Sequence, residues 1–225
     1  MCTVVCRCDA LGVRLLALRD ELASRSFDEP GYWWPDYPGL LGGRDQQAGG
    51  TWCASDVAAG VTAVVLNSPA KRVADAGAPS RGVLPLLAAS HRGRWTAELD
   101  VAGMASFTLV LAEPGSLQCW TFDGEALRHH PLGDTAYVFT PVAFRTAAED
   151  ARFTDEPIQW RAVVDGTQAS DDPLGLVVRL PVDDQTYETV FGQVIAAQPG
   201  QLNLDFRRNP AREPDRAWTS VTYSA

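Results

Sequence analysis

The sequence predicts an α+β fold in which two β-sheets lie between two layers of helices. The predicted strands and helices occur in separate blocks along the chain, rather than in the βαβ alternation of a parallel sheet. Hydrophobic residues make up 46% of the 225 residues, which is enough for a sizeable core. No linker, internal repeat or low-complexity tract divides the sequence, so residues 1–225 are predicted to form a single domain.

The first predicted element is a β-hairpin at the start of the chain. A short β-rich block over residues 1–8 is followed by a turn-like segment that ends at Gly12, and then by an apolar run over residues 13–18. Two such runs around a short link that contains glycine are typical of a hairpin. The second run continues directly into Arg19-Asp20-Glu21.

The hairpin brings Cys2 close to this charged trio. Loops formed by residues 10–11, 10–12 or 11–12 set Cys2 opposite Arg19, Asp20 or Glu21, respectively. Directly opposed side chains of an antiparallel pair have Cβ atoms about 4.5–5.5 Å apart. Every short loop therefore predicts that Cys2 meets one of the three charged residues, and the register itself stays open.

Cys2 is a candidate nucleophile. Removal of Met1 makes Cys2 the first residue, with an α-amine whose pKa of about 7.7–8.0 suits a general base. The positive charges of this amine and of Arg19 favour a thiolate, and Asp20 is placed to orient the ammonium form. One residue then supplies both nucleophile and base, which is typical of an N-terminal-nucleophile (Ntn) amidohydrolase.

The same residues also allow a purely structural interpretation. Cys2, Val4, Cys6 and Cys8 share one face of the first strand at a period of two, and small cysteines are common in buried strand faces. The charged trio then forms only a solvated strand end. The residues by themselves leave both interpretations open.

Hydrophobic patterns and turn residues predict the remaining elements. Strands are expected over residues 51–55, 61–66, 106–112, 117–122, 126–131, 174–182, 186–197, 202–206 and 218–223. Helices are expected over residues 83–90, 95–103, 147–153 and 157–165. Loops are expected over residues 26–41, 71–80, 165–173 and 207–216.

Three features of these segments bear on a site. The 26–41 loop contains Trp33-Trp34, which either cover their own core or form the apolar wall of a pocket near Cys2. Asn67 ends an apolar strand, where its amide either faces the pocket or caps a turn with residues 68–69. His129-His130 are adjacent on a strand, so at most one of them points into a shared site, and a solvent-exposed pair is favoured.

Composition argues against several classes of function. The net charge is −9, with 19 Lys+Arg against 28 Asp+Glu, so binding to a nucleic-acid backbone is not expected. No apolar run approaches the roughly 20 residues of a membrane span, and no signal peptide is recognised. Together with an odd number of cysteines, five, these features predict a cytoplasmic protein with reduced thiols. Cys6-x-Cys8 does not match a zinc motif, so no metal site is expected.

Seven short pieces follow one another over about the first ninety residues. They are Cys2, Arg19-Asp20-Glu21, Ser24-Arg25, Gly42-Gly43-Arg44-Asp45, Gly49-Gly50-Thr51-Trp52, Val65-Leu66-Asn67 and Ser80-Arg81-Gly82. In this order they resemble the NRDE family, also called the transport and Golgi organisation family. That family is similar to cysteine Ntn hydrolases such as penicillin V acylase and bile salt hydrolase. The resemblance therefore implies a four-layer αββα Ntn sandwich.

The first function that this resemblance supports is that of an Ntn-type amidohydrolase or acyltransferase without a cofactor. Cys2 attacks an amide or thioester of a small acylated substrate, Arg19 stabilises the thiolate and Asp20 holds the amine. Asn67 and backbone N–H groups receive the oxyanion. The candidates for substrate binding are Glu21, Trp33, Trp34, Trp52 and Arg81, with the acyl part against Trp33-Trp34.

The second function is that of a carrier, which uses the same pocket to bind haem, acyl-CoA or a lipid without turnover. The sequence departs from the family pattern at two places: Leu18 stands at the position of the family's signature asparagine, and the second family motif, at residues 136–140, lacks its asparagine. The missing second asparagine favours the carrier. In either case the predicted partner is a small molecule, and the sequence makes no prediction of the oligomeric state.

Overall fold

The computed structural model describes residues 2–68, 73–154 and 157–225 of the chain. Within these residues the protein consists mainly of two antiparallel sheets, one of eight strands and one of seven. In chain order the strands are β1 (Thr3–Asp9), β2 (Gly12–Leu22), β3 (Phe27–Gly31), β4 (Leu40–Asp45), β5 (Cys53–Asp56), β6 (Val61–Asn67), β7 (Phe107–Glu113), β8 (Ser116–Phe122), β9 (Leu127–Leu132), β10 (Tyr137–Phe139), β11 (Phe144–Thr146), β12 (Arg179–Val182), β13 (Gln185–Gln198), β14 (Gln201–Arg208) and β15 (Thr219–Ser224). Met1, residue 69 of the predicted Asn67 turn, and residues 71–72 of the predicted 71–80 loop lie outside the described part.

The two sheets differ in how the chain builds them. The first sheet has the order β11-β10-β1-β2-β13-β14-β15, with β12 paired to β13, so strands from both ends of the chain meet at its centre. The second sheet contains β3 to β9 in sequence order. The helical elements are α1 (Leu84–His91), α2 (Trp160–Asp165) and 3₁₀ turns at Arg81–Val83, Arg92–Ala97, Ala147–Glu149 and Pro157–Gln159.

The opening hairpin takes the first of the three predicted registers. Asp9 pairs with Gly12 and Thr3 pairs with Leu18, so the next residue outward, Cys2, comes opposite Arg19. The Asp9 carboxylate closes the two-residue loop by accepting the backbone N–H groups of residues 11 and 12 at 2.8 and 3.0 Å. This local turn chemistry sets the register that positions the site.

Three hydrophobic clusters hold the fold together. The largest lies between the sheets, with Val4 and Leu15 from the first sheet against Val64 and Val110 from the second. A second cluster joins the other face of the second sheet to α1 and to the fully buried Trp95. A third joins the other face of the first sheet to α2. The prediction of two sheets is confirmed.

The strand predictions hold for most of the chain, with three corrections. The 26–41 segment is not one loop, because it contains β3 and the start of β4; Pro30 is accommodated because β3 lies at a sheet edge. The strand expected over 174–182 is confined to β12. The pair β10 and β11 was not predicted, because three-residue strands are too short to show a period.

The helix predictions overestimate the helical content. The expected helix over 95–103 is a 3₁₀ turn followed by a bend, in which the Asp100 carboxylate accepts the N–H of Ala102 at 2.9 Å. The expected helix over 147–153 stops after one 3₁₀ turn, where Asp150 takes an extended conformation (φ −120°, ψ 106°). Side chains that bond to nearby backbone compete with helix formation. The protein is therefore mostly β-sheet with few helices, and none in the described residues is long and apolar enough to cross a bilayer.

Candidate active site

Cys2 lines a pocket of about 250 Å³ at the end of the opening hairpin. The pocket is formed where β2 of the first sheet meets β4, β6 and the segment before α1. Seven of the nine side chains predicted for the site line it, namely Cys2, Arg19, Asp20, Glu21, Trp52, Asn67 and Arg81. The sequence therefore located most of the pocket, although it did not show how these side chains are connected.

The structure does not place the two remaining predicted residues, Trp33 and Trp34, beside Cys2. Trp33 lines a neighbouring polar pocket, with the Arg44 guanidinium 4.8 Å from its ring centroid. The Trp34 indole donates to the Gly49 carbonyl at 2.8 Å, and its ring packs on the core beneath α1. The expected aromatic wall around Cys2 is thus not observed. Charged and polar side chains make up most of the pocket lining instead, together with Trp52 and Val65.

Arg19 is a fixed positive charge at the back of the pocket. Its side chain is 5% exposed, and its Nη2 donates to Asp45 Oδ2 at 3.0 Å. The guanidinium lies 4.6 Å from the Trp52 ring centroid and 5.3 Å from that of Phe27, a cation–π arrangement. Burial lowers the pKa of Arg19, and the nearby negative groups oppose that shift. Trp52 therefore supports the guanidinium from the core side.

Asp45 organises this end of the pocket, and the sequence analysis did not single it out. Its Oδ2 accepts from Arg19 at 3.0 Å and from Arg25 Nε at 2.6 Å, while its Oδ1 accepts the N–H groups of residues 47 and 48. Burial favours a higher pKa for this carboxyl, but the Arg25 hydrogen bond and the surrounding donors outweigh it and lower the pKa. The available signal was its place in the Gly42–Asp45 piece of the family pattern.

Asp20 presents a buried carboxylate beside Cys2. Its side chain is 5% exposed, and Thr189 Oγ1 donates to its Oδ1 at 2.6 Å. Burial raises the pKa of Asp20 to about 6, even though the Thr189 hydrogen bond and Arg19 favour the ionised form. Thr189 comes from β13, next to an irregularity in the pairing of β13 with β2. No local sequence signal connects residues that lie so far apart in the chain.

The pKa of the Cys2 thiol is raised in the chain that retains Met1, whereas the thiolate was predicted for a chain that begins with Cys2. Burial raises its pKa first of all, and the negative charge of Asp20 adds to this effect. The backbone N–H of Asp20 and the charge of Arg19 favour the thiolate but do not overcome burial. The charge of Arg19 is already engaged by Asp45. A reaction at this sulfur therefore requires a base.

The opposite wall joins three of the family pieces. Asn67 is the exposed last residue of β6 and faces the pocket. Gly50 packs directly on Gly82: a Cβ atom at Gly50 would lie 2.6 Å from the Gly82 carbonyl oxygen. The Thr51 N–H donates to that same oxygen at 2.9 Å. A side chain at position 50 would push this segment away from Gly82, which explains the need for glycine there.

The histidine pair lies away from this pocket, on the edge strand β9. His130 Nε2 is 2.9 Å from Thr121 Oγ1, whereas the His129 ring stacks on Trp120 at 4.6 Å. The two rings thus point to opposite faces, as the strand geometry predicts. In the described part of the chain, no group of three or more His, Cys, Asp or Glu side chains is arranged to hold a metal ion.

Asp20→Asn is expected to stabilise the fold near neutral pH. A folded-state pKa of about 6 against an ordinary 3.8 means that the folded protein holds this proton more tightly than the unfolded chain. The stability that this proton provides is complete below the ordinary pKa and is lost as the pH rises through the folded value. The variant has no proton to lose and still accepts the Thr189 hydrogen bond, so we expect a gain of about 3 kcal/mol at pH 7.

Urea unfolding of both proteins at pH 4, 5, 6 and 7 measures this difference. The gain should shrink between pH 7 and pH 4, because the folded carboxyl recovers its proton over this range and the unfolded one begins to do so near its ordinary pKa of 3.8. A variant that is less stable than the parent at every pH would contradict the burial argument.

The pocket lies entirely within the part of the chain that a known family covers. The family model described as Transport and Golgi organisation 2 matches residues 1–170, and the described lining residues fall between 2 and 82. No curated protein matches the chain. Among solved structures, the Caenorhabditis elegans N-acylethanolamine-hydrolyzing acid amidase (NAAA) ortholog is similar at 10% sequence identity and a TM-score of 0.47, over 87% of this chain and 92% of that chain.

Proposed function

The chain belongs to the Transport and Golgi organisation 2 family, and we propose that it is an Ntn-type amidohydrolase or acyltransferase acting on a small acylated substrate. One observation carries the proposal. Cys2, Arg19, Asp20 and Asn67, which come from three separate strands or their ends, line a single polar pocket. A nucleophile, a fixed positive charge, a carboxylate and an amide donor are the groups that acyl transfer needs.

The proposed reaction begins once Met1 has been removed, so that Cys2 carries a free α-amine. Because the pKa of the thiol is raised, this amine acts as the base and takes the thiol proton. The sulfur then attacks the substrate carbonyl and forms an S–C bond. Collapse of the tetrahedral intermediate breaks the amide or thioester bond, and the ammonium returns its proton to the leaving group.

The second half of the reaction frees the enzyme. Water attacks the acyl-thioester carbon in a hydrolase, or an acceptor amine does so in an acyltransferase, and the α-amine takes a proton from the attacking group. Collapse of this second intermediate breaks the C–S bond, and the ammonium returns the proton to the Cys2 sulfur. Asp20, held by Thr189, orients the ammonium form of the amine. The Asn67 amide and nearby backbone N–H groups stabilise the oxyanion in both halves.

The arrangement of the cores supports an Ntn-like layering for this chain. One apolar cluster lies between the sheets, and the outer face of each sheet packs on its own helical segment. We propose that this is a four-layer αββα sandwich with much-reduced helical layers. Cys2 directly precedes β1, which lies inside the first sheet. An N-terminal nucleophile would occupy this position in such a sandwich.

The pocket favours catalysis over the carriage of haem, acyl-CoA or a lipid. Its volume of about 250 Å³ falls below the roughly 300–1,000 Å³ of pockets that enclose larger ligands. Six of its described lining residues carry a charged side chain, which does not suit a large apolar ligand. The five cysteines are free, and we propose that the enzyme acts in the cytoplasm, where thiols stay reduced.

A chain with a removable N-terminal leader tests this function. Cleavage directly before Cys2 exposes its amine, whereas a matched leader that leaves one glycine before Cys2 keeps the thiol but acylates the amine. Intact mass confirms each N-terminus, and a panel of N-acylated amino acids and acyl thioesters reports release of the free acid. We expect turnover only from the protein that begins with Cys2. Equal turnover by both proteins, or none by the Cys2-first protein, would contradict the proposal.

A further inference from the structure

The charges that line the Cys2 pocket are incompletely paired. Three arginines and three carboxylates are among its described lining residues. Asp45 Oδ2 lies 3.0 Å from Arg19 and 2.6 Å from Arg25. Glu21 Oε2 lies 3.6 and 3.7 Å from the same two guanidinium groups. Two arginines therefore share two carboxylates.

Arg81 is the third arginine, and it forms no ion pair with any described residue. Its Nη1 donates to the backbone carbonyl of Ser106 at 2.9 Å, which anchors the guanidinium at the pocket wall. A guanidinium has five N–H donors in one plane, so this single bond leaves donors for a ligand. Ser80, whose Oγ accepts the N–H of Gly82 at 3.2 Å, begins the 3₁₀ turn that holds Arg81 in place.

The surroundings of Arg81 make an anionic ligand favourable. Burial lowers the pKa of Arg81, which means that its charge is held at a cost inside the pocket. Cys2 and Glu21 offset part of this cost, and the nearby positive charge of Arg25 adds to it. A carboxylate that forms two parallel hydrogen bonds to Arg81 would offset this cost.

We propose that the substrate carries a carboxylate, which Arg81 binds while Cys2 attacks a carbonyl only a few bonds away. This inference rests on the proposed acyl-transfer function and specifies its substrate class. Arg81 and Cys2 line the same small pocket, so the anion and the scissile bond must belong to one compact molecule. N-acylated amino acids and short carboxylated amides or thioesters have this form. Neutral amides with a long alkyl chain do not.

Two alkylating reagents of nearly the same size test the inference without knowledge of the substrate. Iodoacetate carries a carboxylate, and iodoacetamide carries a neutral amide in its place. With either reagent the Cys2 sulfur forms a bond to the CH₂ carbon, the C–I bond breaks, iodide leaves and the thiol proton is released to solvent. The measured quantity is the rate with iodoacetate divided by the rate with iodoacetamide, obtained by mass spectrometry of the peptide that contains Cys2. A high ratio reports recognition of a carboxylate beside the thiol.

We expect this rate ratio to be about tenfold higher for the protein than for N-acetylcysteine, as one charge-assisted hydrogen-bond pair would provide. Arg81→Gln should remove the preference, and Arg81→Lys should retain part of it, because lysine keeps the charge but not the planar fork. Arg92→Gln is the matched control. Arg92 is a half-buried arginine paired with Asp56 at 3.4 Å, outside the pocket, so this variant should keep the full ratio.

A binding measurement covers the case in which Cys2 reacts with neither reagent. Cys2→Ala protein is titrated with N-acetylglycine and with N-acetylglycinamide, and only the first should bind, about tenfold more weakly at high salt. Equal binding or no binding of the two probes, like an unchanged alkylation ratio in Arg81→Gln, would overturn the inference. In that case, turnover of neutral substrates by the wild-type protein would still support the acyl-transfer function. The acyl-transfer function itself is contradicted only by the experiment with the removable leader.

Discussion

Cys2→Ala is expected to abolish turnover, by about 10⁴-fold or more, since the residue supplies the attacking atom and no other group replaces it. The fold should persist because Cys2 precedes β1 and is only partly buried. Cys2→Ser should keep a small residual rate, because the hydroxyl can attack but ionises far less readily. The measurement is release of free acid from whichever probe the wild-type protein hydrolyses, together with a search for acylated Cys2 by mass.

Cys8→Ala is the matched control for this experiment. Cys8 lies on the same face of β1, is 6% exposed and belongs to the core between the sheets. It does not line the Cys2 pocket. Its replacement should leave turnover close to that of the parent. Turnover that survives in Cys2→Ala, or an acyl group found on another cysteine, would show that the nucleophile lies elsewhere.

The hairpin illustrates what the sequence can predict well. A short loop fixes the register of two strands by local hydrogen bonds, so counting residues was enough to place Cys2 beside the Arg19-Asp20-Glu21 trio. The structure then selected Arg19 as its partner. Two hairpins of the second sheet, β5–β6 and β7–β8, were predicted nearly as well, since a short turn joins the two strands of each. In both cases the partners are close in sequence, and local patterns contain the necessary information.

Elements with distant partners were harder to predict. β10 has three residues and forms because β1, more than a hundred residues earlier, offers Val4, Val5 and Cys6 for pairing. Tertiary pairing of this kind overrides local propensity. The helix expected over 147–153 ends for a local reason instead, because the Asp150 carboxylate accepts the backbone N–H of Arg152 at 3.1 Å.

The predictions of the site residues divide in the same way, between local patterns and contacts that form only after folding. Cys2, Arg19 and Asp20 follow from the register, and Asn67 and Arg81 from the order of the family pieces. Asp45 was missed as a functional residue because its role depends on which guanidinium groups it meets after folding. The aromatic wall was misplaced for a similar reason: the position of Trp33 in a loop does not say which pocket the loop covers.

Asp45→Ala is expected to lower the free energy of unfolding by about 3 kcal/mol at pH 7, because it leaves the buried Arg19 charge without its closest partner. Asp45 is 7% exposed and Arg19 is 5% exposed, so water cannot replace the lost interaction fully. The change also removes the acceptor for the N–H groups of residues 47 and 48. Urea unfolding measures the loss, and thiol alkylation rates report whether Arg19 still influences Cys2.

Asp45→Asn distinguishes the effect of the Asp45 charge from that of its hydrogen bonds to the backbone of the turn. Asparagine can still accept the two backbone N–H groups, so it should recover part of the stability that alanine loses. The pKa of Asp45 is lowered in the fold, and such a group contributes stability that is present above its ordinary pKa and lost as the pH falls. The parent should therefore approach the stability of the variant below about pH 4.

Asp28→Ala is the control that distinguishes a buried network from an ordinary surface pair. Asp28 binds Arg44 at 2.8 Å and so has the same kind of partner, but solvent reaches both side chains. Surface pairs contribute little because water and salt screen them, so this variant should be much less destabilised than Asp45→Ala. If the two variants lose equal stability, Arg19 does not depend on Asp45, and the positive charge behind Cys2 must be held by Glu21, Trp52 and Phe27 instead.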